Sequence, residues 1–159
     1  KWDYPNIRLI VVGTGNGDKD ALRIIAERHI DDVLMIGGSS HSDLPRYYQS
    51  ADIFCAPATG GESFGIVLLE AMAAGKPIVA TNIDEYSSVM TNKKEGLLVN
   101  PANSQSIKLA LEELINNRQL REELARNGKE TAARYDWTNV SKEIIEYYES
   151  RLEIRRKEK

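Results

Sequence analysis

The residues that carry most redox and metal chemistry are scarce in this sequence. A single cysteine among 159 residues excludes an internal disulfide and any multi-cysteine zinc site. Cys55 sits in the apolar run Ile53-Phe54-Cys55-Ala56 and reads as a small buried hydrophobe rather than a reactive thiol. The two histidines, His29 and His41, have no companions at ligand spacing, so they read as surface or helix-end residues and no metal site is expected. An excess of charge of one sign is also lacking: 21 Lys and Arg stand against 24 Asp and Glu, for a net charge of −3. That balance provides no basic footprint for a phosphate backbone, and nucleic acid is not expected as a partner. Long apolar runs are missing too. The longest, residues 64–74, is broken by Gly65 and Glu70 and falls far short of the ~20 residues of a membrane span. Lys1-Trp2-Asp3-Tyr4-Pro5 has neither a starting Met nor an apolar signal region, which predicts an excised or processed piece.

What remains is an average globular composition, 42% hydrophobic and 28% charged, in a length that suits one domain with a real core. Residues 7–12, apolar but for Arg8 and rich in β-branched side chains, end in Gly13-Thr14-Gly15-Asn16-Gly17, which predicts a strand buried on both faces running into a tight turn. A helix follows, capped by Asp18, striped by Leu22, Ile25 and Ala26, and ending near His29. Further strands are predicted over 33–36, 52–56, 78–80 and 96–99, with helices over 44–50 and 64–74 and a connection over 81–92. The alternation predicts a doubly wound parallel α/β sheet, Rossmann-like in type. From Ser104 the pattern is helical only, over 107–115, 118–134 and 140 to about 156, and no repeat is visible. The predicted organisation is a ligand-binding core over 1–103 with C-terminal helices of the same domain over 104–159.

The window from Ala56 to Met72 carries the chemistry. The pair Gly60-Gly61 follows the carboxyl end of a strand, where open α/β sheets bind ligands and where glycine lets backbone approach closely. Ser63 is the expected helix cap, leaving the N–H groups of Phe64, Gly65 and Ile66 pointing outward as a site for an anion such as a diphosphate. Two carboxylates flank it, Glu62 before the helix and Glu70 inside it. Eight residues of helix put them ~12 Å apart, less if Glu62 curls back. That is too wide for the ~5 Å pair of a retaining glycosidase, and it suits two acceptors holding hydroxyls at the two ends of one ligand, the layout of a nucleotide sugar. A bland reading stands beside this one: Glu62 as a solvated loop carboxylate and Glu70 as a water-facing helix residue. Against it, Glu70 lies among Val67, Leu68, Leu69, Ala71, Met72, Ala73 and Ala74, with no polar face, and a carboxylate there needs a partner.

Glu62 to Glu70 is an E-x7-E pattern, and its filling, Gly-Gly-Glu-Ser-Phe-Gly-Ile-Val-Leu-Leu-Glu-Ala-Met-Ala-Ala-Gly, resembles that of retaining GT-B glycosyltransferases of group 1, the phosphatidylinositol mannosyltransferase type above all. Supporting pieces are Tyr47-Tyr48-Gln49-Ser50-Ala51-Asp52-Ile53, the strand after Pro77, Glu95-Gly96-Leu97-Leu98-Val99 and Tyr135-Asp136-Trp137. The resemblance implies the C-terminal, donor-binding half of a GT-B fold. It implies that Gly61, Glu62, Ser63, Phe64, Gly65, Ile66 and Glu70 bind a nucleotide-sugar donor, with Glu62 as the catalytic residue accepting hydroxyls of the transferred hexose. Ser63, Phe64 and Gly65 offer backbone N–H groups to sugar and diphosphate, Ile66 lies against the nucleoside, and Glu70 grips the ribose diol. The base falls near 38–41, with Ser39 and His41 as the site residues, and Ser39 departs from the apolar residue usual there. By the same resemblance no cofactor or bound metal is needed, the donor is GDP-mannose with a UDP-hexose as competitor, and transfer proceeds with retention by same-face internal return. An Arg and a Lys that neutralise the diphosphate, and the acceptor-binding N-terminal domain, are expected upstream of this chain. A cytoplasmic location follows from the missing signal and the supply of sugar nucleotides, with peripheral membrane contact through the full-length protein.

The spacing G-x-G-x-G over 13–17 is not the G-x-G-x-x-G of a dinucleotide fingerprint, so it reads as a turn rather than the mark of an oxidoreductase. Tyr47-Tyr48 and Tyr147-Tyr148 each read as one ring packed inward and one near the rim. Val140, Ile144, Tyr148 and Leu152 form a stripe that folds on the chain's own sheet, pairs with another copy, or stays partly exposed. The end, with Arg151, Arg155, Arg156, Lys157 and Lys159 among Glu153 and Glu158, reads as a solvated helix end, the minority alternative being contact with an anionic membrane surface. A binding module without transfer activity of its own is the alternative function.

Overall fold

The structure, a computed structural model, describes residues 3–13 and 19–157. The chain divides into two compact units, Lys1–Tyr47 and Tyr48–Lys159. In the first, β1 (Leu9–Val12), α1 (Lys19–Glu27) and β2 (Val33–Gly37) make one parallel crossover unit, and α2 (Leu44–Ser50) begins. Leu9 pairs with Val33 and Val11 with Met35, and a register shift then sets Val12 opposite Gly37. The Gly13 N–H donates to the Gly37 carbonyl at 2.8 Å. The turn and cap expected over 14–18, Asp18 included, lie outside the described residues.

One expectation for this unit is corrected. The apolar run of β1 predicts burial on both faces, yet no described residue of the unit is buried and Leu9 is 53% exposed. Two strands and a helix of nine residues contain too few neighbours to cover both faces of a sheet.

The second unit is built on a parallel sheet in the order β3 (Phe54–Ala56), β4 (Ile78–Thr81), β5 (Gly96–Val99). Cys55 pairs with Val79, and Val79 with Leu97. All four residues of β4 are buried, because the central strand of a parallel sheet is covered on both sides. Strand alternation divides the core in two. Ala56, Ile78 and Ala80 pack with Leu68, Ala71 and Met72 of α3 (Ile66–Ala73) and Tyr86 of α4 (Asp84–Ser87). Val79, Leu97 and Val99 face Ala110 and Leu114 of α5 (Ser104–Asn116) and Leu124 of α6 (Arg118–Arg134). Cys55, expected to be buried, is half-buried and packs against the edge of this second cluster, and burial pushes its thiol up.

Two helices, α5 and α6, start where an asparagine side chain satisfies a free N–H group. The Asn103 and Asn117 side chains accept from the Ser106 and Leu120 N–H groups, each at 2.9 Å. α6 approaches α3 closely at Gly128, where a Cβ would lie 3.2 Å from Met72 Cγ. One buried polar group ties the layers together: Glu95, 2% exposed, accepts from Thr131 Oγ1 at 2.8 Å and the Thr91 N–H at 2.9 Å and pairs with Lys94.

The last helix, α7 (Trp137–Lys157), starts where the Asp136 carboxylate accepts the Thr138 N–H at 2.8 Å. Hydrogen bonds from Thr138 hold that carboxyl below its usual range. The stripe on α7 does not fold onto the chain's own sheet at Ile144, Tyr148 and Leu152, which are exposed within the chain. Tyr147 and Tyr148 correct the expectation of one ring inward and one at the rim. Both are more than half exposed, and they meet each other edge to face with centroids 6.0 Å apart, since the second unit brings no layer over this helix. Among the described residues no helix is long and apolar enough to cross a membrane.

Candidate functional site

The chain leaves β3 at Ala56, forms a loop and enters α3 at Ile66. The buried Thr81 hydroxyl, at the end of β4, donates to the Ala58 carbonyl, with the Ala56 carbonyl at 3.4 Å. This fixes the start of the loop to the sheet. Its tip is open: Gly60 and Gly61 have φ of 143° and 79°, and a Cβ on either would meet nothing within 4 Å.

The loop ends differently from the sequence expectation. Ser63 does not cap the helix; Gly65 does, with φ 79° and ψ 36° and no side-chain cap. The helix therefore begins at Ile66, two residues later than expected, because a left-handed residue interrupts right-handed helix and glycine adopts it at little cost. The position is also tight, since a Cβ on Gly65 would lie 2.9 Å from Cδ1 of the buried Tyr86 ring. The Leu68 N–H bonds back to the Gly65 carbonyl at 2.9 Å, and the Ile66 and Val67 N–H groups before it have no intrahelical acceptor. The amides left without an intrahelical acceptor are thus those of Ile66 and Val67 rather than of Phe64, Gly65 and Ile66. Phe64 meets Tyr135 edge to face at 5.9 Å, and Ile66 is 63% exposed at the mouth of the helix.

Each carboxylate has a tyrosine beside it. Glu70 projects from α3 among apolar neighbours, and its partner is the Tyr48 hydroxyl, which donates to Oε2 at 2.8 Å. The Tyr48 ring rests on Phe54 with centroids 5.3 Å apart. Burial, then the hydrogen bond to Glu70 and its charge, raises the Tyr48 hydroxyl well above the usual phenol range. Half-buried Glu62 acts on Tyr86. Burial, followed by the charge of Glu62, its role as acceptor and the charge of Glu85, pushes the Tyr86 hydroxyl up to about 12. Both tyrosines therefore stay protonated donors beside the carboxylates.

Gly61, Glu62, Ser63, Phe64, Gly65, Ile66 and Glu70 come together on α3 and the loop before it, while half-buried Ser39 and exposed His41 belong to the first unit. There Ser40 Oγ donates to Asp43 Oδ2 at 2.7 Å, and Ser39 Oγ donates to the Ser40 carbonyl at 3.3 Å, so the segment is held by its own hydroxyls. Among the described residues no three His, Cys, Asp or Glu side chains gather as metal ligands. Tyr48 and Tyr86 were not among the expected site residues. The demand of Glu70 for a donor was visible in the sequence, but the donor lies 22 positions away.

Residues 1–131 match the sequence profile described as Glycosyl transferases group 1. The chain is 38% identical over 147 residues to a phosphatidyl-myo-inositol mannosyltransferase of Mycobacterium leprae, a match covering 92% of this chain and 39% of that protein. Its fold is similar to that of HepE from Anabaena, solved in complex with UDP, with a TM-score of 0.84 and 25% identity over 92% of this chain and 42% of that one. It is also similar to the C-terminal domain of the group 1 family protein LpcC from Francisella tularensis, with a TM-score of 0.74 and 26% identity over 83% of this chain and 71% of that one. The chain spans about two fifths of the length of the curated relatives it matches.

Proposed function

The chain belongs to the glycosyl transferases group 1 family and has the Rossmann-like architecture of a GT-B half, and on that premise we propose that it is the donor-binding part of a retaining hexosyltransferase. The reading rests above all on Glu70, a carboxylate placed in an apolar helix, held on one oxygen by Tyr48 and left with acceptor capacity for a ligand. Glu70 grips the ribose diol. The N–H groups at the start of α3, joined by backbone from Gly61 to Gly65, take the diphosphate, since a helix N-terminus binds anions through its free amides and its dipole. Glu62, steadied beside Tyr86, accepts hydroxyls of the hexose at the reaction centre, and Ile66 lies against the nucleoside. In the first unit the resemblance assigns contact with the base to Ser39 and His41. Transfer itself needs an acceptor-binding domain and proceeds by same-face internal return, with the leaving diphosphate taking up the acceptor proton and no metal in a required role. Donor binding is the part of the reaction assigned to these 159 residues. The core over 1–103 binds the nucleotide sugar and the helices over 104–159 support it.

GDP-mannose is the proposed donor, supported by the mannosyltransferase names of the relatives, and the acceptor is a lipid or glycan met at the cytoplasmic membrane face. A UDP-hexose is the second reading, favoured by HepE, which was solved with UDP and with UDP-glucose. Calorimetric titration of the chain with GDP, UDP and ADP separates the two. Tightest binding of GDP is expected, and a clear preference for UDP assigns the chain to the second reading.

A further inference from the structure

We propose that Tyr48 is a positioning residue of the donor site, its hydroxyl orienting the Glu70 carboxylate to receive both hydroxyls of the ribose. The inference rests on the ribose role given to Glu70 above. A carboxylate carries two oxygens with about four lone-pair directions. Tyr48 occupies one of them on Oε2 at 2.8 Å. What remains, all of Oε1 and one direction on Oε2, matches the two O–H donors of a vicinal diol. A glutamate without such a contact turns freely about its last torsion, a broad and roughly two-fold rotor, and ligand binding then has to stop that rotation. With Tyr48 in place the rotation is stopped beforehand, and preorganisation of this kind appears as affinity.

The hydroxyl is itself firmly held. Its ring stacks at a tilt on Phe54 and packs against the cluster formed by Leu68, Met72 and Ile78. The next residue, Gln49, accepts Lys76 Nζ on its carbonyl at 2.9 Å, so the end of α2 is tied to the segment that leaves α3. Donor and acceptor thus sit on two elements fixed to each other at a second point. The raised Tyr48 hydroxyl stays protonated at any pH a nucleotide enzyme meets, so the donor never turns into a second negative charge beside Glu70.

A purely structural role for this hydrogen bond makes a different prediction, and the test exploits it. The wild-type chain and the Y48F, E70A and Y48F/E70A variants are titrated calorimetrically with GDP and UDP and with their 2′-deoxy and 3′-deoxy counterparts. Phe keeps the ring and its contact with Phe54, and circular dichroism checks the fold of each variant. Y48F is expected to reduce the preference for ribo over deoxy about fivefold, the worth of one ordinary net hydrogen bond, while deoxy affinity stays within about twofold. In the E70A background Y48F is expected to leave that preference unchanged. Equal weakening of ribo and deoxy ligands by Y48F, or an undiminished preference, overturns the positioning role. If E70A and wild type discriminate equally, or the wild type does not discriminate, the ribose role of Glu70 fails first and the inference falls with it.

Discussion

Replacing Gly65 with alanine measures how the start of α3 is built. Two costs add at this position. An L-residue at φ 79° is in left-handed space, worth about 1–2 kcal/mol. The new Cβ also meets Tyr86 Cδ1 at 2.9 Å and Cε1 at 3.2 Å, and that ring is 2% exposed and packed in the core. Forcing a methyl group into a packed core costs about 1–3 kcal/mol. Gly61 supplies the internal control, because it has the same φ of 79° with nothing within 4 Å of its Cβ. G61A therefore carries the backbone cost alone, and G65A carries both. Urea unfolding followed by circular dichroism, with a slope of about 1–3 kcal/mol per molar, should place the G65A midpoint lower than that of G61A by about 1 M. Heating should lower the G61A midpoint by several degrees and the G65A midpoint further, since 1 kcal/mol corresponds to about 2–4 °C at this chain length. Equal losses for the two variants would refute the account of Gly65 as a glycine required by contact as well as by conformation.

Two further outcomes follow from named groups. Thr81→Val keeps the shape of a fully buried side chain and leaves the Ala58 carbonyl without its donor. A loss of about 1–3 kcal/mol is expected, with faster amide exchange over residues 58–61 than in the rest of the unit; uniform exchange would separate Thr81 from the loop. The Tyr86 hydroxyl is raised from 10.0 to about 12 by burial first and by Glu62 next. Because the unfolded chain releases that proton first, its stabilisation is complete below pH 10 and declines as pH rises toward about 12. Tyr86→Phe should flatten part of the fall in urea midpoint over that window, and an unchanged fall would remove Tyr86 from it.

Much of the fold was legible because it is written in local patterns. β5 and α6 begin and end where apolar runs and helix periodicity put them, and β4 extends one residue further, to Thr81. The sequence predicts only a connection where the short α4 lies, because four residues carry no periodicity, and what holds it is Tyr86 inserted into the core. The run of β1 has no polar alternation and so predicts burial, but burial depends on what covers a strand, which a local run does not encode. The helix start at α3 was misplaced by two residues because Ser63 is a good cap by type, while the contact of Gly65 with Tyr86 spans 21 positions. The need of Glu70 for a donor was legible from its apolar neighbours. That Tyr48 meets it depends on α2 and α3 coming together, a long-range fact.

Binding energies of ligands with and without a ribose, compared between the wild-type chain and E70A, test the central claim most directly. Calorimetry with GDP-mannose, UDP-glucose and inorganic pyrophosphate isolates the group that Glu70 is assigned to hold. The account predicts that E70A weakens both nucleotide sugars by about tenfold or more, the worth of hydrogen bonds to a charged acceptor, and leaves pyrophosphate binding unchanged. An equal loss for all three ligands, or no loss for the nucleotide sugars, would contradict it.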